Sequence, residues 1–153
     1  MDEPDAVLIQ ALRRDGRLSF RELADRVGLS PNAVAERVRR LTEIGTIRAI
    51  RADIDPEALG RRLFAYVDVR MQPGVRADDF ERALRDVPNV LSAALTTGRF
   101  DFTLHVGCAD QSALVHLIET LRTRCGAHET YSRIVLRETS FEPGEGSAVR
   151  QIV

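Results

Sequence analysis

This chain contains no lysine; all 22 of its basic residues are arginine. The amine of Schiff-base chemistry and the lysine of a phosphate-binding P-loop are therefore both missing. No glycine-rich phosphate loop stands in for them, and the three histidines have no nucleophile motif beside them. No catalytic set is expected, and no cofactor. Only two cysteines occur, Cys108 and Cys125. Two thiols make no disulfide framework and fit a reducing cytoplasm best. No apolar run approaches the ~20 residues that a membrane-crossing helix needs. The opening MDEPDAV is acidic and lacks the basic-then-apolar pattern of a signal peptide. A cytoplasmic protein with no membrane partner is expected.

What is present is a chain of 153 residues, 44% hydrophobic, enough for one medium domain or two small ones. The net charge of −1 is unevenly spread. Residues 1–52 carry 10 Arg against 8 Asp and Glu, a net of +2; residues 53–153 carry 12 against 15, a net of −3. That sign suits a nucleic-acid-facing first part and a second part that stays off phosphates. So weak a field on one copy implies a dimer or larger assembly.

The stretch 18–47 reads as two short helices and a tight turn. Leu23, Ala24 and Val27 recur at helical spacing. Gly28 stands where that helix must end, because glycine reaches a positive φ without steric penalty. Leu29 plugs the corner, and Ser30-Pro31 is a strong helix start. In the second helix, residues 31–43, Val34, Val38 and Leu41 face the core and leave Asn32, Glu36, Arg37, Arg39 and Arg40 outward. A short helix with arginines and an amide outward suits the major groove of DNA. This is a helix-turn-helix pattern, and duplex DNA is the expected partner. Ser30, Asn32, Ala33, Glu36, Arg37, Arg39 and Arg40 are the candidate contacts, with Arg37 and Arg40 foremost for guanine or phosphate. Ala6, Leu8, Ile9 and Leu12 make a further amphipathic helix ahead of the pair.

After Gly45, TIRAIRADI is rich in β-branched residues and predicts a linker strand, and Asp55–Gly60 reads as a turn. The domains expected are 1–60, 61–141 and a tail over 142–153. Residues 63–71 alternate, with Leu63, Ala65, Val67, Val69 and Met71 on one face and Phe64, Tyr66, Asp68 and Arg70 on the other. A helix follows over 77–87 through Phe80, Leu84 and Val87, then strand VLSAALTT, the turn Gly98-Arg99, and strand FDFTLHVGC. A second helix over 110–124 carries Leu114, Leu117, Ile118 and Leu121, and a last strand is expected over 130–141. The order β-α-β-β-α-β predicts an α+β ferredoxin-like sandwich with both helices on one sheet face. The other face, half apolar, suits a subunit interface.

RELADRVGLSPNAVAERVRRLTEIGTI, IDPEALG and TTGRFDFTLHV, in this order, resemble the leucine-responsive regulatory protein/AsnC (feast/famine) family of transcription regulators. The likeness covers nearly the whole chain, and the Gly-x-aromatic-Asp turn makes it specific. It implies an amino-acid-responsive regulator that dimerises through the linker strand and sheet face, with dimers commonly assembled into octamers or other rings. The effector, an amino-acid-like small molecule, is implied at Thr97, Gly98, Arg99 and Asp101, completed by Tyr131, Ser132 and Arg133. Asp101 is the candidate acceptor for the ligand's ammonium group. Arg99 departs from the acidic or small polar residue usual at its position, and Arg133 is a second arginine there. Turned inward the two favour an acidic effector or a carboxylate-rich pocket; turned outward they are surface.

His105-x-x-Cys108 and Cys125-x-x-His128 mimic a zinc pattern. An intervening helix of roughly 20 Å separates the two pairs, and Cys108 falls on the core face of its strand. No metal is expected. A competing reading of the whole chain is an architectural DNA-wrapping protein with no true effector, recognised by broad, salt-steep binding.

Overall fold

The computed structural model describes residues 1–52, 54–139 and 149–151. They form two compact units that divide between residues 53 and 54, ahead of the 3-10 turn at Pro56–Leu59 rather than after it.

The first unit holds three helices: α1 (Glu3–Arg14), α2 (Phe20–Val27) and α3 (Pro31–Glu43). A side chain starts each one. Asp2 accepts from the Asp5 N–H while Asp5 accepts from the Asp2 N–H, a reciprocal capping box. Ser19 and Glu22 repeat the device for α2, and the Ser30 hydroxyl accepts from the Ala33 N–H for α3. Gly28 ends α2 at φ 66°, the left-handed conformation expected of it. Leu8, Ala11, Leu23, Ala24, Val34 and Val38 form the shared core, with Val27 and Leu29 partly buried against it.

Among these apolar side chains sits Asp5, with 0% of its surface exposed. Arg37 reaches it from α3, its Nη1 donating at 2.8 Å to one carboxylate oxygen and at 2.8 and 2.9 Å to the two oxygens of Asp2. The Arg40 Nη2 donates to the other Asp5 oxygen at 2.6 Å. Burial alone would raise the Asp5 carboxyl; the hydrogen bonds from Arg37, Arg40 and the Asp2 backbone, with the Arg40 charge, outweigh it and bring its pKa from 3.8 to about 2. Arg37 likewise lowers Asp2 and is itself raised, first by Asp2 and then by Asp5.

The expected linker strand has no ladder among the described residues. A β-rich segment becomes a strand only where an edge accepts its hydrogen bonds.

The second unit is a four-stranded antiparallel sheet in the order β2-β3-β1-β4. Its strands are β1 (Leu63–Met71), β2 (Val90–Leu95), β3 (Phe102–Cys108) and β4 (Ala127–Ile134). Helix α4 (Ala77–Leu84) joins β1 to β2, and α5 (Gln111–Arg124) joins β3 to β4. This is the ferredoxin-like α+β sandwich. Phe80 and Leu84 of α4 and Leu114, Leu117 and Leu121 of α5 share one core with Ala65, Val67 and Val69 of β1 and Phe102, Leu104, Val106 and Cys108 of β3. Both helices thus cover one sheet face. The Phe80 and Phe102 rings lie 4.9 Å apart within it.

Several boundaries differ from expectation, β2 closing at Leu95 and β3 opening at Phe102 among them. Helix α4 closes at Leu84, although Val87 is still buried. Strand β4 begins at Ala127 and ends at Ile134, because it pairs along β1 from Met71 back to Ala65. A separate short strand β5 (Arg137–Thr139) then pairs with β6 (Val149–Gln151), so part of the expected tail is a strand; residues 140–148, 152 and 153, the rest of the expected last strand and tail, lie outside the described residues. The helix-free sheet face carries Tyr66, Asp68 and Arg70 of β1, Thr103 and His105 of β3, and Glu129, Tyr131 and Arg133 of β4. Phe64 lies on this face too, yet is only 4% exposed. Its ring lies over Gly107, where a Cβ would meet it at 3.1 Å.

Two outcomes follow for stability. Phe80→Ala removes a fully buried ring and should cost about 3–5 kcal/mol in chemical denaturation; the small change typical of a surface substitution would contradict this packing. Because the folded-state pKa of Asp5 is depressed, its ionised form contributes stability above pH 3.8, and that contribution is lost as the pH falls towards about 2. Asp5→Asn should destabilise the helical unit near neutrality and flatten its acid unfolding profile, followed by circular dichroism. An unchanged acid profile would show that the carboxylate does not hold α1 to α3.

Candidate nucleic-acid interface and effector turn

Helix α3 has one buried stripe, Val34, Val38 and Leu41. Helical geometry sets Asn32, Glu36, Arg39 and Glu43 on the opposite side, spaced i, i+4, i+7 and i+11. All four are exposed. The Arg39 Nη2 donates to Glu36 at 2.6 Å, and its Nε lies 3.9 Å from Glu43. The remaining nominated residues serve otherwise. The Ser30 hydroxyl is committed to the Ala33 N–H at 3.2 Å, and Ala33 is half-buried. Arg37, expected outward, keeps only 28% of its side chain exposed and turns towards α1. Arg40 remains 51% exposed, with one nitrogen on Asp5. Sequence periodicity found the faces of α3 but not its arginine partners, which lie more than 30 residues away at Asp2 and Asp5.

The turn between β2 and β3 is held by its neighbours. Gly98 adopts φ 116°, which favours glycine. The Asp101 carboxylate accepts from the Met71 N–H at 2.7 Å, and its own N–H donates to the Val69 carbonyl at 2.9 Å. Asp101 thus fastens the turn to the end of β1. Arg70 adds a fork: its Nε and Nη2 donate to the Arg99 carbonyl at 3.2 and 2.8 Å. Glu129 of β4 binds the Arg99 side chain at 2.8 Å and lies 3.5 Å from that of Arg70. Phe100 stacks with Tyr131 at 6.4 Å, and the Arg99 guanidinium lies 5.2 Å from the Phe100 ring centre.

The nominated effector residues therefore divide. Arg99 and Tyr131 meet on the helix-free face through Glu129 and Phe100, while Thr97 and Gly98 are exposed on the turn. Arg133 shares that face but sits further along, bonded to Asp68 at 2.9 Å, where the Thr103 hydroxyl also donates at 2.7 Å. Ser132 is in register with Val67 and so faces the helices, away from Tyr131 and Arg133. Both arginines that suggested an acidic effector have a carboxylate partner. Sequence reasoning missed Arg70, Phe100 and Glu129; the alternation of β1 already put Arg70 on the open face, at the end nearest the turn. Cys108 and Cys125 are free thiols within the core, and burial raises both.

Residues 1–42 match the AsnC-type helix-turn-helix domain, and residues 64–144 match the Lrp/AsnC ligand binding domain. The chain is 36% identical to the HTH-type transcriptional regulator LrpA of Mycobacterium tuberculosis, over 89% of its own length and 90% of the relative's. Among solved structures it is similar to the transcriptional regulator NMB0573 of Neisseria meningitidis in complex with L-Met, at 31% identity and TM-score 0.85, covering 95% of this chain and 96% of that one. It is also similar to the feast or famine regulatory protein of M. tuberculosis complexed with L-methionine, at 34% identity and TM-score 0.86, covering 94% and 97%. With both halves matched, and the helix-turn-helix and the ferredoxin-like sheet both in place, the chain belongs to the Lrp/AsnC family of DNA-binding transcription regulators.

Proposed function

We propose that this regulator acts in the cytoplasm as a dimer or a ring of dimers, binds pseudo-palindromic duplex DNA through α3, and responds to an amino acid held at the β2–β3 turn. The observation that carries the effector reading is the bracketed turn itself. Its exposed Gly98 backbone is fixed from β1, and it is flanked by an anion, Glu129, that touches two cations, Arg99 and Arg70. A zwitterion needs that pair of signs. Thr97, Gly98, Arg99 and Tyr131 are the residues placed to touch it; Asp101 positions the turn rather than meeting the ammonium group. Similar chains solved with L-methionine support the ligand class.

Assembly is supported by the helix-free sheet face. There His105 stacks on Tyr66 at 5.0 Å, and its Nε2 is buried without a hydrogen-bond partner. With Phe64 and Tyr131 on the same face, these rings make it half apolar, which suits contact with a second copy of the chain.

Thermal unfolding of the purified protein against the twenty amino acids, L-methionine first, tests the effector. At least one should raise the melting temperature of the wild type, and Asp101→Ala should abolish the shift. No shift with any of them would overturn the amino-acid reading and leave a DNA-wrapping protein without an effector.

A further inference from the structure

We infer that Glu36 and Arg39 act together as the sequence-determining residues of the DNA contact, specifying a cytosine and a guanine on neighbouring base pairs. The inference rests on α3 being the helix that enters the groove. Three arginines lie on that helix: Arg37 is turned to Asp2 and Asp5, Arg40 gives one nitrogen to Asp5 while its side chain stays 51% exposed, and Arg39 lies on the stripe opposite the core. The stripe opposite the core is Asn32, Glu36, Arg39 and Glu43. It is nearly neutral, and a carboxylate sits in its middle.

A carboxylate on the face turned to DNA is repelled by phosphates, so it is tolerated best where the groove floor offers a donor. In the major groove cytosine N4 is that donor, and guanine O6 and N7 are the matching acceptors for arginine. Glu36 and Arg39 already display acceptor and donor side by side, bonded at 2.6 Å with side chains 67% and 66% exposed. Three residues of helix rise about 4.5 Å, close to the ~3.4 Å step between bases. The two side chains therefore address adjacent pairs while still holding each other. Glu36 also keeps Arg39 from swinging to the nearest phosphate. It trades non-specific affinity for discrimination.

Selection from a randomised duplex pool, run with the full-length wild type, Glu36→Gln and Arg39→Ala, tests this. Thermal melts run alongside should show that these exposed substitutions leave the fold intact. The wild type should enrich a site with adjacent cytosine and guanine in each half. Glu36→Gln should lose preference at the cytosine by about ten-fold while binding unrelated DNA as tightly as the wild type or more so. Arg39→Ala should lose preference at the neighbouring guanine. Identical enriched sites for all three proteins would reduce the pair to a solvated ion pair and overturn the inference. No enrichment by the wild type, with binding that merely weakens in salt, would overturn sequence-specific recognition by α3 as well.

Discussion

One buried carboxylate fixes how the helical unit is put together. Asp5 belongs to the first turn of α1, and its two oxygens meet guanidinium groups from Arg37 and Arg40, one turn apart on α3. A charge without solvent is costly unless paired and hydrogen-bonded, and removing one partner leaves the others stranded. Helix α1 therefore cannot slide along α3 without breaking several charged bonds together. The apolar core of this unit is small, and Leu or Val contacts tolerate modest slippage. The ion cluster does not. It sets the rotation of α3 about its own axis, and through it which face the helix turns to solvent.

The same cluster reshapes the electrostatics. Residues 1–52 carry a net of only +2, and the arginines of α3 all have carboxylate partners. Non-specific affinity for DNA grows with the number of phosphates neutralised and falls steeply with salt. A helix whose guanidinium groups are all paired with carboxylates contributes little of that affinity on its own. In the proposed assembly, occupancy comes from repetition, with several units linked so that each binding event raises the effective concentration of the next. In that reading, assembly and weak single-site binding are two sides of one charge distribution.

Much of this architecture was legible in the sequence. Ser30-Pro31, Gly28 and the i, i+3, i+4 apolar spacing gave the helix-turn-helix, because caps and amphipathicity are local. Period-2 alternation separated Val67 and Val69 from Tyr66 and Asp68 for the same reason. The pairing of Arg37 and Arg40 with α1 left no trace, since contacts across more than 30 residues impose no period. The grouping of Tyr131, Ser132 and Arg133 in one site came from family likeness. Consecutive residues of a strand point to opposite faces, and the register with β1 places Ser132 away from the other two. The linker strand is a different case, with no edge to pair with among the described residues of this one copy. Its β-branched composition was real, but strand formation depends on an edge, which composition alone does not supply.

The turn shows how a ligand's contacts would reach the sheet. Strand β1 lies between β3 and β4, and its last residues hold the turn twice, through the Arg70 fork on the Arg99 carbonyl and through the Met71 N–H on Asp101. Glu129 ties the Arg99 side chain to β4. In the effector reading, a ligand carboxylate that draws Arg99 away competes directly with Glu129. Freed of Arg99, Glu129 keeps Arg70 as its neighbouring cation, and Arg70 is the residue that grips the turn. A small exchange of ion-pair partners is thereby transmitted to the central strand without any part of the backbone having to unfold. The open face of that strand, with Asp68 bridging Thr103 and Arg133, is the surface proposed to meet another copy. In these readings, ligand state and assembly bear on the same strand, the one at Arg70 and Met71 and the other at the face around Asp68.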